Sequence, residues 1–579
     1  MRSETTKNYL SHLLSVALAE LKAAPFVDKI EVSTPDSAFG DYATNIALVL
    51  AKKGKIDTKD VSGKLIAEVK KADTENIFEA VEEKNGFVNF KLSKSFLLKN
   101  LSAILEQRDL YGCSLNGQGK NIIVEYFQNN VAKPPHIGHL RSAVIGDCLL
   151  RIFKSQGYKT ISDTHIGDWG VQFGILILAY KTLKPDGVAL EKDPITELNR
   201  LYVEMSAKIE ADPSLREAAK QEFKKLEDGD EQNRKLWKWF VDESLKDFEN
   251  YRAELQVFPF DYNLGESFYE KHMPEVLAEL EEKKLITKGE QGELYVDLEQ
   301  YGLGRAILVK SDGATTYLLR DLPTYTYRKQ QFNFQKNIYV VDNRQTHHFK
   351  QIFKVLELAG YPANSDSVHV DVGFMSLPEG AISTRKGTTV SLRSVLDEAD
   401  KRALKIIEEK NAGLENKEEV AKKVALAAIK YFDLSHNRKT EVTFTWDKAL
   451  SFEGNTGPYL QYTHARIHGI LRKGSRLEVS GFSFEPSTLQ LEPSELAVLR
   501  KLIKFPEIVE QVTQDYFPNN LCNFLFELSQ SFNNFYQQVP VLAETNEQLK
   551  EFRFNLITAT AQVIKNGLYL LGVEAPEEM

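Results

Sequence analysis

The sequence predicts an α/β protein: a parallel sheet with a helical insertion, flanked by an α+β N-terminal region and an all-α C-terminal bundle. Three observations carry that prediction. Residues 121–127 (NIIVEYF) are a β-branched run of the kind buried on both faces of a parallel sheet, and a helical pattern follows from about His136 to Gln156. Further β-rich runs at 306–310, 337–341 and 367–374 alternate with helical segments, as parallel strands joined by helical crossovers do. From about residue 397 to the end, helical periodicity is almost unbroken. With 579 residues, 42% of them hydrophobic, the chain is long enough for more than one domain and has apolar material for several cores.

In chain order, the first stretch (1–118) opens with a helical pattern and passes Phe39-Gly40-Asp41-Tyr42 into an apolar-rich helix over 43–53. It closes on the alternating residues 86–92, a strand, and Gly112, Gly117 and Gly119 mark a linker. In the second stretch (119–400), the strand over 121–127 leads through Lys133-Pro134-Pro135 to its helix; proline suits a helix start, where no N–H is needed. Residues 181–282 read as a helical insertion, and its many charges are most simply a solvated surface. The third stretch (401–579) reads as a helical bundle with its longest loop at 473–493.

Lys and Arg total 73 against 82 Asp and Glu, a net charge of −9; this excludes a wholly basic nucleic-acid coat but leaves room for a local basic patch. Cys113, Cys148 and Cys522 lie far apart with no CxxC pair, so neither a disulfide framework nor a cysteine-based zinc site is expected, and no resident metal. The first ten residues have no apolar run, and nowhere do about eighteen apolar residues follow one another. A cytoplasmic enzyme with no membrane span is the predicted class.

The sharpest local signal is His136-Ile137-Gly138-His139, just after a strand and at the mouth of a helix. Helix N-termini present unpaired N–H groups and partial positive charge, and so attract phosphate. Two imidazoles three residues apart share nearly one face of the first turn and can donate to phosphoryl oxygens, while Gly138 lets a flat base approach the backbone. The alternative is a pair of satisfied histidines at a helix start. A second signal, Ser383-Thr384-Arg385-Lys386-Gly387, combines two hydroxyls, two cations and a glycine, and can clamp a triphosphate, although basic loops are also often plain surface. Neither a GxxxxGK[ST] loop nor an HExxH occurs.

A strand, a HIGH tetrapeptide, a downstream Ser/Thr/Lys loop and a helical bundle together resemble a class I aminoacyl-tRNA synthetase, and the surrounding residues resemble the arginyl family. The matching segments are VEYFQNNVAKPPHIGHL (124–140), HIGDWGVQFG (165–174), KSDGATTYLLRD (310–321), STRKG (383–387) and EGNTGPYLQYTHAR (453–466). The resemblance implies a Rossmann-type catalytic domain, ATP as substrate with Mg²⁺ carried on it, no zinc, and arginine and tRNA(Arg) as partners of a monomeric enzyme. It also implies ATP contacts from His136, Gly138, His139, His348, Ser383, Thr384, Arg385 and Lys386. Two departures stand out. The loop usually written KMSK has Ala381-Ile382-Ser383-Thr384 here, and by resemblance Lys133 compensates for the missing lysine. Phe127-Gln128-Asn129-Asn130 replaces the usual Ser-Ser-Pro-Asn, and only Asn130 carries over.

The resemblance further implies that Glu125, Asn130, Tyr317, Asp321 and Gln345 line the amino-acid pocket. Arginine brings an α-ammonium and a planar five-donor guanidinium, so its pocket needs acceptors at both ends. Glu125 ends the first strand, where ligands of open α/β sheets bind, and suits the ammonium. Tyr317 and Asp321 are spaced i,i+4 on a predicted helix; Asp321 can take the guanidinium in a paired hydrogen bond while Tyr317 orients its plane. Gln345 would help fix the substrate backbone. Taken alone, Asp321 is equally a surface partner of Arg320, and Tyr317 an ordinary tyrosine. His347-His348 invites a metal reading, but adjacent histidines on a regular element diverge. The catalytic set is His136, His139, Lys133 and Lys386, acting as charge stabilisers and not as general bases, because positioning and electrostatics dominate phosphoryl-type transfer.

For tRNA, the resemblance points to Phe87 and Asn89, alternate residues on one strand face, and to Tyr459, Arg466, Tyr536 and Met579 in the terminal bundle. Aromatics interleaved with cations suit unstacked bases, and core packing is the alternative for the tyrosines. The rivals are a synthetase for another amino acid and a catalytically silent tRNA-binding scaffold. A cysteinyl enzyme would need a cysteine-built zinc site and a glutamyl one a cationic pocket; both motif histidines and Lys386 speak against the scaffold.

Overall fold

Ile122, Ile123 and Val124 are each at most 1% exposed, because helices cover their strand on both faces. The computed structural model describes residues 5–36, 38–377, 391–474 and 489–579. Its central sheet has four parallel strands in the order Ser367–Val372, Lys336–Asp342, Asn121–Glu125, Lys159–Asp163. Alternation along the strands splits their side chains between two cores. Ile122, Val124, Ile338 and Val340 pack with the helix Ile137–Ser155; Ile123, Ile161 and Tyr339 pack with the helices Tyr317–Phe332 and Thr346–Leu358. The strand order reverses between Asn121–Glu125 and Lys336–Asp342, so the ligand crevice lies outside the carboxyl ends of these two neighbours.

One strand expectation needs correction, and one strand was missed. The run at 306–310 forms the strand Arg305–Val309, but it pairs antiparallel in a separate three-stranded sheet with Leu294–Asp297 and Ile286–Lys288. Its apolar alternation cannot by itself tell antiparallel from parallel pairing. The edge strand Lys159–Asp163 was not expected, because only Ile161 in it is strongly apolar. Past the parallel sheet, Ser391 makes an isolated bridge to His136, and Leu392 starts a helix.

The insertion is built from the helices Val171–Leu183, Pro194–Ala211, Ser214–Glu227 and Glu231–Glu254 around a core that includes Trp169, Phe223 and Phe240. At Gly174 two of these helices touch: a Cβ there would lie 2.0 Å from the Ala219 carbonyl oxygen, so only glycine permits the crossing. The N-terminal region is a four-stranded antiparallel sheet with helices Thr6–Glu20, Ile46–Gly54, Thr58–Ala72 and Lys94–Gln107. Its Asp41 and Tyr42 dock on the terminal bundle, Asp41 against Arg500 at 3.1 Å and Tyr42 against Glu507 and Lys504. The bundle is tied to the helix Ile137–Ser155 by the buried pair Arg141–Asp433 (2.7 Å), and Arg141 also donates to the carbonyls of Gly373 and Thr440.

Candidate active site

The helix Ile137–Ser155 starts with its two motif histidines locked by backbone N–H groups. Gly138 N–H donates to His136 Nδ1 (3.1 Å), and His136 N–H donates to His139 Nδ1 (3.1 Å). A nitrogen that accepts carries no proton, so in the neutral rings the proton sits on Nε2, the nitrogen free to donate outward. Burial lowers the His136 pKa; burial and then the neighbouring His136 hold His139 well below the usual imidazole range. The two rings stack with centroids 3.9 Å apart. A Cβ on Gly138 would meet ring atoms of His136 at 2.8 and 2.9 Å, so the glycine makes room for its own neighbour's imidazole. Lys133 Nζ lies 4.6 Å from the centre of the Tyr202 ring, and burial lowers its pKa. Ser391, four residues past Gly387, bridges to His136, and Leu392 N–H donates to the Pro135 carbonyl. Ser383, Thr384, Arg385 and Lys386 themselves lie outside the described residues.

At the carboxyl ends of the central strands opens a cavity of about 450 Å³, lined by all five residues expected around an amino acid: Glu125, Asn130, Tyr317, Asp321 and Gln345. His348 lines it too. Residues 317, 321, 324 and 328 form one stripe of the helix Tyr317–Phe332. Tyr317, at its first turn, is 61% exposed, its ring within reach of Arg320. The paired hydrogen bond expected from Asp321 is half used already: its Oδ2 is 2.6 Å from His348 Nε2, leaving Oδ1 open. Asn130 reaches the cavity past Gly167, where a Cβ would come within 2.9 Å of Asn130 Oδ1. Phe127 and Ala132, on either side of it, adopt positive φ (59° and 58°), and Ala132 N–H is held by Ser244 Oγ of the insertion at 2.9 Å.

Glu125 is not alone. Its Oε2 stands 2.6 Å from Nη1 of Arg328, a fully buried guanidinium that also meets Asp163 at 2.7 Å. Gln128, one of the residues that departs from the family pattern, donates to Glu125 Oε1 (3.1 Å). Sequence reasoning missed Arg328, although it lies on the stripe that carries Tyr317 and Asp321. It also missed Glu266, for which no motif exists, and His165, which sits inside HIGDWGVQFG without an assigned role. Burial pushes the Glu266 carboxyl up to about 7, and its Oε2 lies 3.7 Å from Arg320.

On the terminal bundle, Arg466, Tyr536 and Met579 line a second cavity of about 470 Å³. The Arg466 guanidinium lies 4.9 Å from the centre of the Tyr536 ring, and Asn533 bridges Arg466 to the Tyr459 hydroxyl. In the N-terminal sheet Phe87 is 40% exposed, whereas Asn89 is only 8% exposed, held between two neighbouring strands. Among the described residues no helix is long and apolar enough to cross a membrane.

Three family models match the chain in order: the arginyl tRNA synthetase N-terminal domain over 8–92, the catalytic domain of class I tRNA synthetases (R) over 100–446, and the DALR anticodon-binding domain over 460–579. The chain is 41% identical to an arginine–tRNA ligase of Lactococcus lactis subsp. lactis (strain IL1403), covering 99% of this chain and 100% of that one. It is 40% identical to one of Clostridioides difficile (strain 630), covering 98% and 99%. The arginyl-tRNA synthetases of Plasmodium falciparum and Thermus thermophilus superpose with TM-scores of 0.84 and 0.83, at 26% identity each, over 100% and 99% of this chain and the whole of each of theirs. The chain belongs to the arginyl-tRNA synthetase family of class I synthetases.

Proposed function

We propose that this arginine–tRNA ligase seats arginine in the cavity between Glu125 and Asp321. The ammonium points to Glu125, Asn130 and Gln345; the guanidinium points to Asp321 Oδ1 and Glu266, with Tyr317 against its plane. One observation carries this reading: two carboxylates from separate elements, a strand end and a helix stripe, face one cavity at the switch point of the parallel sheet. The substrate carboxylate is then directed toward the histidines at the helix start, where ATP phosphates meet Nε2–H donors and the helix N-terminus.

The carboxylate attacks the α-phosphorus of ATP, the bond to pyrophosphate breaks, and arginyl-adenylate forms; the terminal adenosine of tRNA then takes the arginyl group and AMP leaves. His136, His139, Lys133 and Lys386 stabilise the charge on the phosphates, and Gly138, His348, Ser383, Thr384 and Arg385 complete the ATP contacts. His348 does so from its place on Asp321, so it also links the two substrates. Mg²⁺ arrives on the ATP phosphates, the hard oxygen ligands it prefers. The domains are assigned as 1–118, 119–400 with an insertion around 181–282, and 401–579, the last junction falling within the helix Leu392–Lys410. Phe87 and Asn89 take the outer corner of tRNA; Tyr459, Arg466, Tyr536 and Met579 take the anticodon. The enzyme works as a cytoplasmic monomer.

ATP–pyrophosphate exchange, measured with and without tRNA across arginine, lysine, cysteine and glutamate, tests the reading. Exchange with arginine alone among the four supports it; no tRNA-stimulated exchange with arginine ends it. A second expectation concerns the bundle. Tyr536→Ala removes a stacking face and raises the KM for tRNA by the equivalent of about 1–3 kcal/mol, with the KM for arginine unchanged. An unaltered tRNA KM would move the anticodon contact elsewhere.

A further inference from the structure

His165 packs against the carboxylates of the cavity with one ring nitrogen committed and the other not. Its Nδ1 lies 3.1 Å from the Leu264 carbonyl oxygen, which can only accept, so Nδ1 carries a proton in either charge state. Its Nε2 is buried, has no hydrogen-bond partner, and stands 3.8 Å from Asp321 Oδ1, beyond hydrogen-bond length. The proton on Nε2 is therefore the one variable of this ring.

The charged groups facing His165 come from every element packed on it. The strand Asn121–Glu125 supplies Glu125, and the helix Tyr317–Phe332 supplies Asp321 and Arg328; Glu266 and, from its own loop, Asp168 complete the set. His348 holds the far oxygen of Asp321, and Asp163 shares Arg328. Glu266 is the second uncommitted group: its Oε2 is buried without a hydrogen-bond partner, and Arg320 is 3.7 Å away. Acidic groups thus outnumber the fixed cations around a cavity whose substrate brings a delocalised cation.

Resting on the placement of arginine in this cavity, we propose that the empty site holds protons on His165 and Glu266 in place of the substrate's positive charge, and that arginine expels them as it binds. His165 is a positioning residue acting through Asp321 and Glu125, whereas Glu266 meets the guanidinium. The energetics agree in sign. Burial opposes a charge on His165, but Glu125 and Asp321 outweigh it and raise the ring's pKa. Burial raises Glu266 to about 7. A guanidinium placed among these groups favours the carboxylate and disfavours the imidazolium, lowering both pKa values in the complex. Each expelled proton passes to solvent, so arginine affinity falls as pH falls. Free lysine, a more strongly hydrated cation, exchanges for the same protons less favourably.

The test is calorimetric titration of the full chain with arginine at about pH 7 in two buffers of different ionisation enthalpy; the difference in observed heat gives the protons released. A net release of protons from Glu266 and His165 together is expected for the wild type. Glu266→Gln removes the first share. His165→Asn removes the second, while its amide keeps a donor for Leu264. The wild-type Kd for arginine rises from about pH 8 to about pH 6, by at most about tenfold per pH unit for each proton exchanged, and His165→Asn flattens that profile. Equal heats in both buffers, with arginine bound, overturn the proposal, as does a release that survives both substitutions. If His165→Asn fails to fold, the wild-type buffer dependence and Glu266→Gln still decide. Asp321→Ala separates this from the reading beneath it. Undiminished arginine binding by that variant removes arginine from the cavity; lost binding together with no proton release in the wild type defeats the proton exchange alone.

Discussion

Asp321→Ala lowers kcat/KM for arginine by about 2–5 kcal/mol, roughly 30-fold to several thousand-fold, while the KM for ATP moves far less. The size follows from what is left behind. Removing the carboxylate leaves a desolvated guanidinium facing His165 and an unpartnered His348 Nε2, so the loss includes the cost of unpaired charge as well as the missing bond. Asp321→Asn is a sharper version. The amide keeps the shape and one acceptor but no charge, and it lacks the acidic partner that His348 now has at 2.6 Å. Steady-state exchange kinetics over an arginine series check both variants. A wild-type kcat/KM in either would show that the guanidinium is read elsewhere.

Arg328→Met carries the second large effect, on stability and on arginine use together. Arg328 is fully buried and compensates two carboxylates, Glu125 at 2.6 Å and Asp163 at 2.7 Å. Deleting one partner of a buried ionic group strands the others at a cost of about 3–5 kcal/mol. The midpoint of the unfolding transition that includes the catalytic sheet falls accordingly, and arginine KM rises because Glu125 loses the group that holds it in register. Adding Asp163→Asn to Arg328→Met recovers part of the stability, since one stranded charge is gone. A single variant within about 1 kcal/mol of the wild type would mean that solvent already compensates these carboxylates.

The sequence made visible what periodicity and family motifs encode, and little of what tertiary pairing adds. Ile122, Ile123 and Val124 announced a strand buried on both faces because covered parallel strands need no polar side. Lys159–Asp163 stayed hidden because an edge strand with one solvated end can be polar. Arg305–Val309 was legible as a strand and not as a member of another sheet, since alternation is blind to its partner. In the candidate site, Tyr317 and Asp321 were readable from their spacing together with the resemblance, and Arg328 lay on the same stripe, available to the same logic. Glu266 was not readable: it reaches the cavity from the short helix Glu266–Tyr269, inside the stretch read as a solvated insertion, and nothing local marks it. Nor could the sequence show that His348 occupies half of Asp321, or that Gly138 leaves space for the His136 ring.

The central claim is that Glu125 and Asp321 hold the two ends of one arginine. A structure of the full chain with arginine and a non-hydrolysable ATP analogue tests it most directly. The account predicts the substrate ammonium within hydrogen-bond distance, about 2.7–3.2 Å, of Glu125, and a guanidinium nitrogen at the same distance from Asp321 Oδ1. Arginine seated outside this cavity, or reversed so that its ammonium meets Asp321, would contradict it.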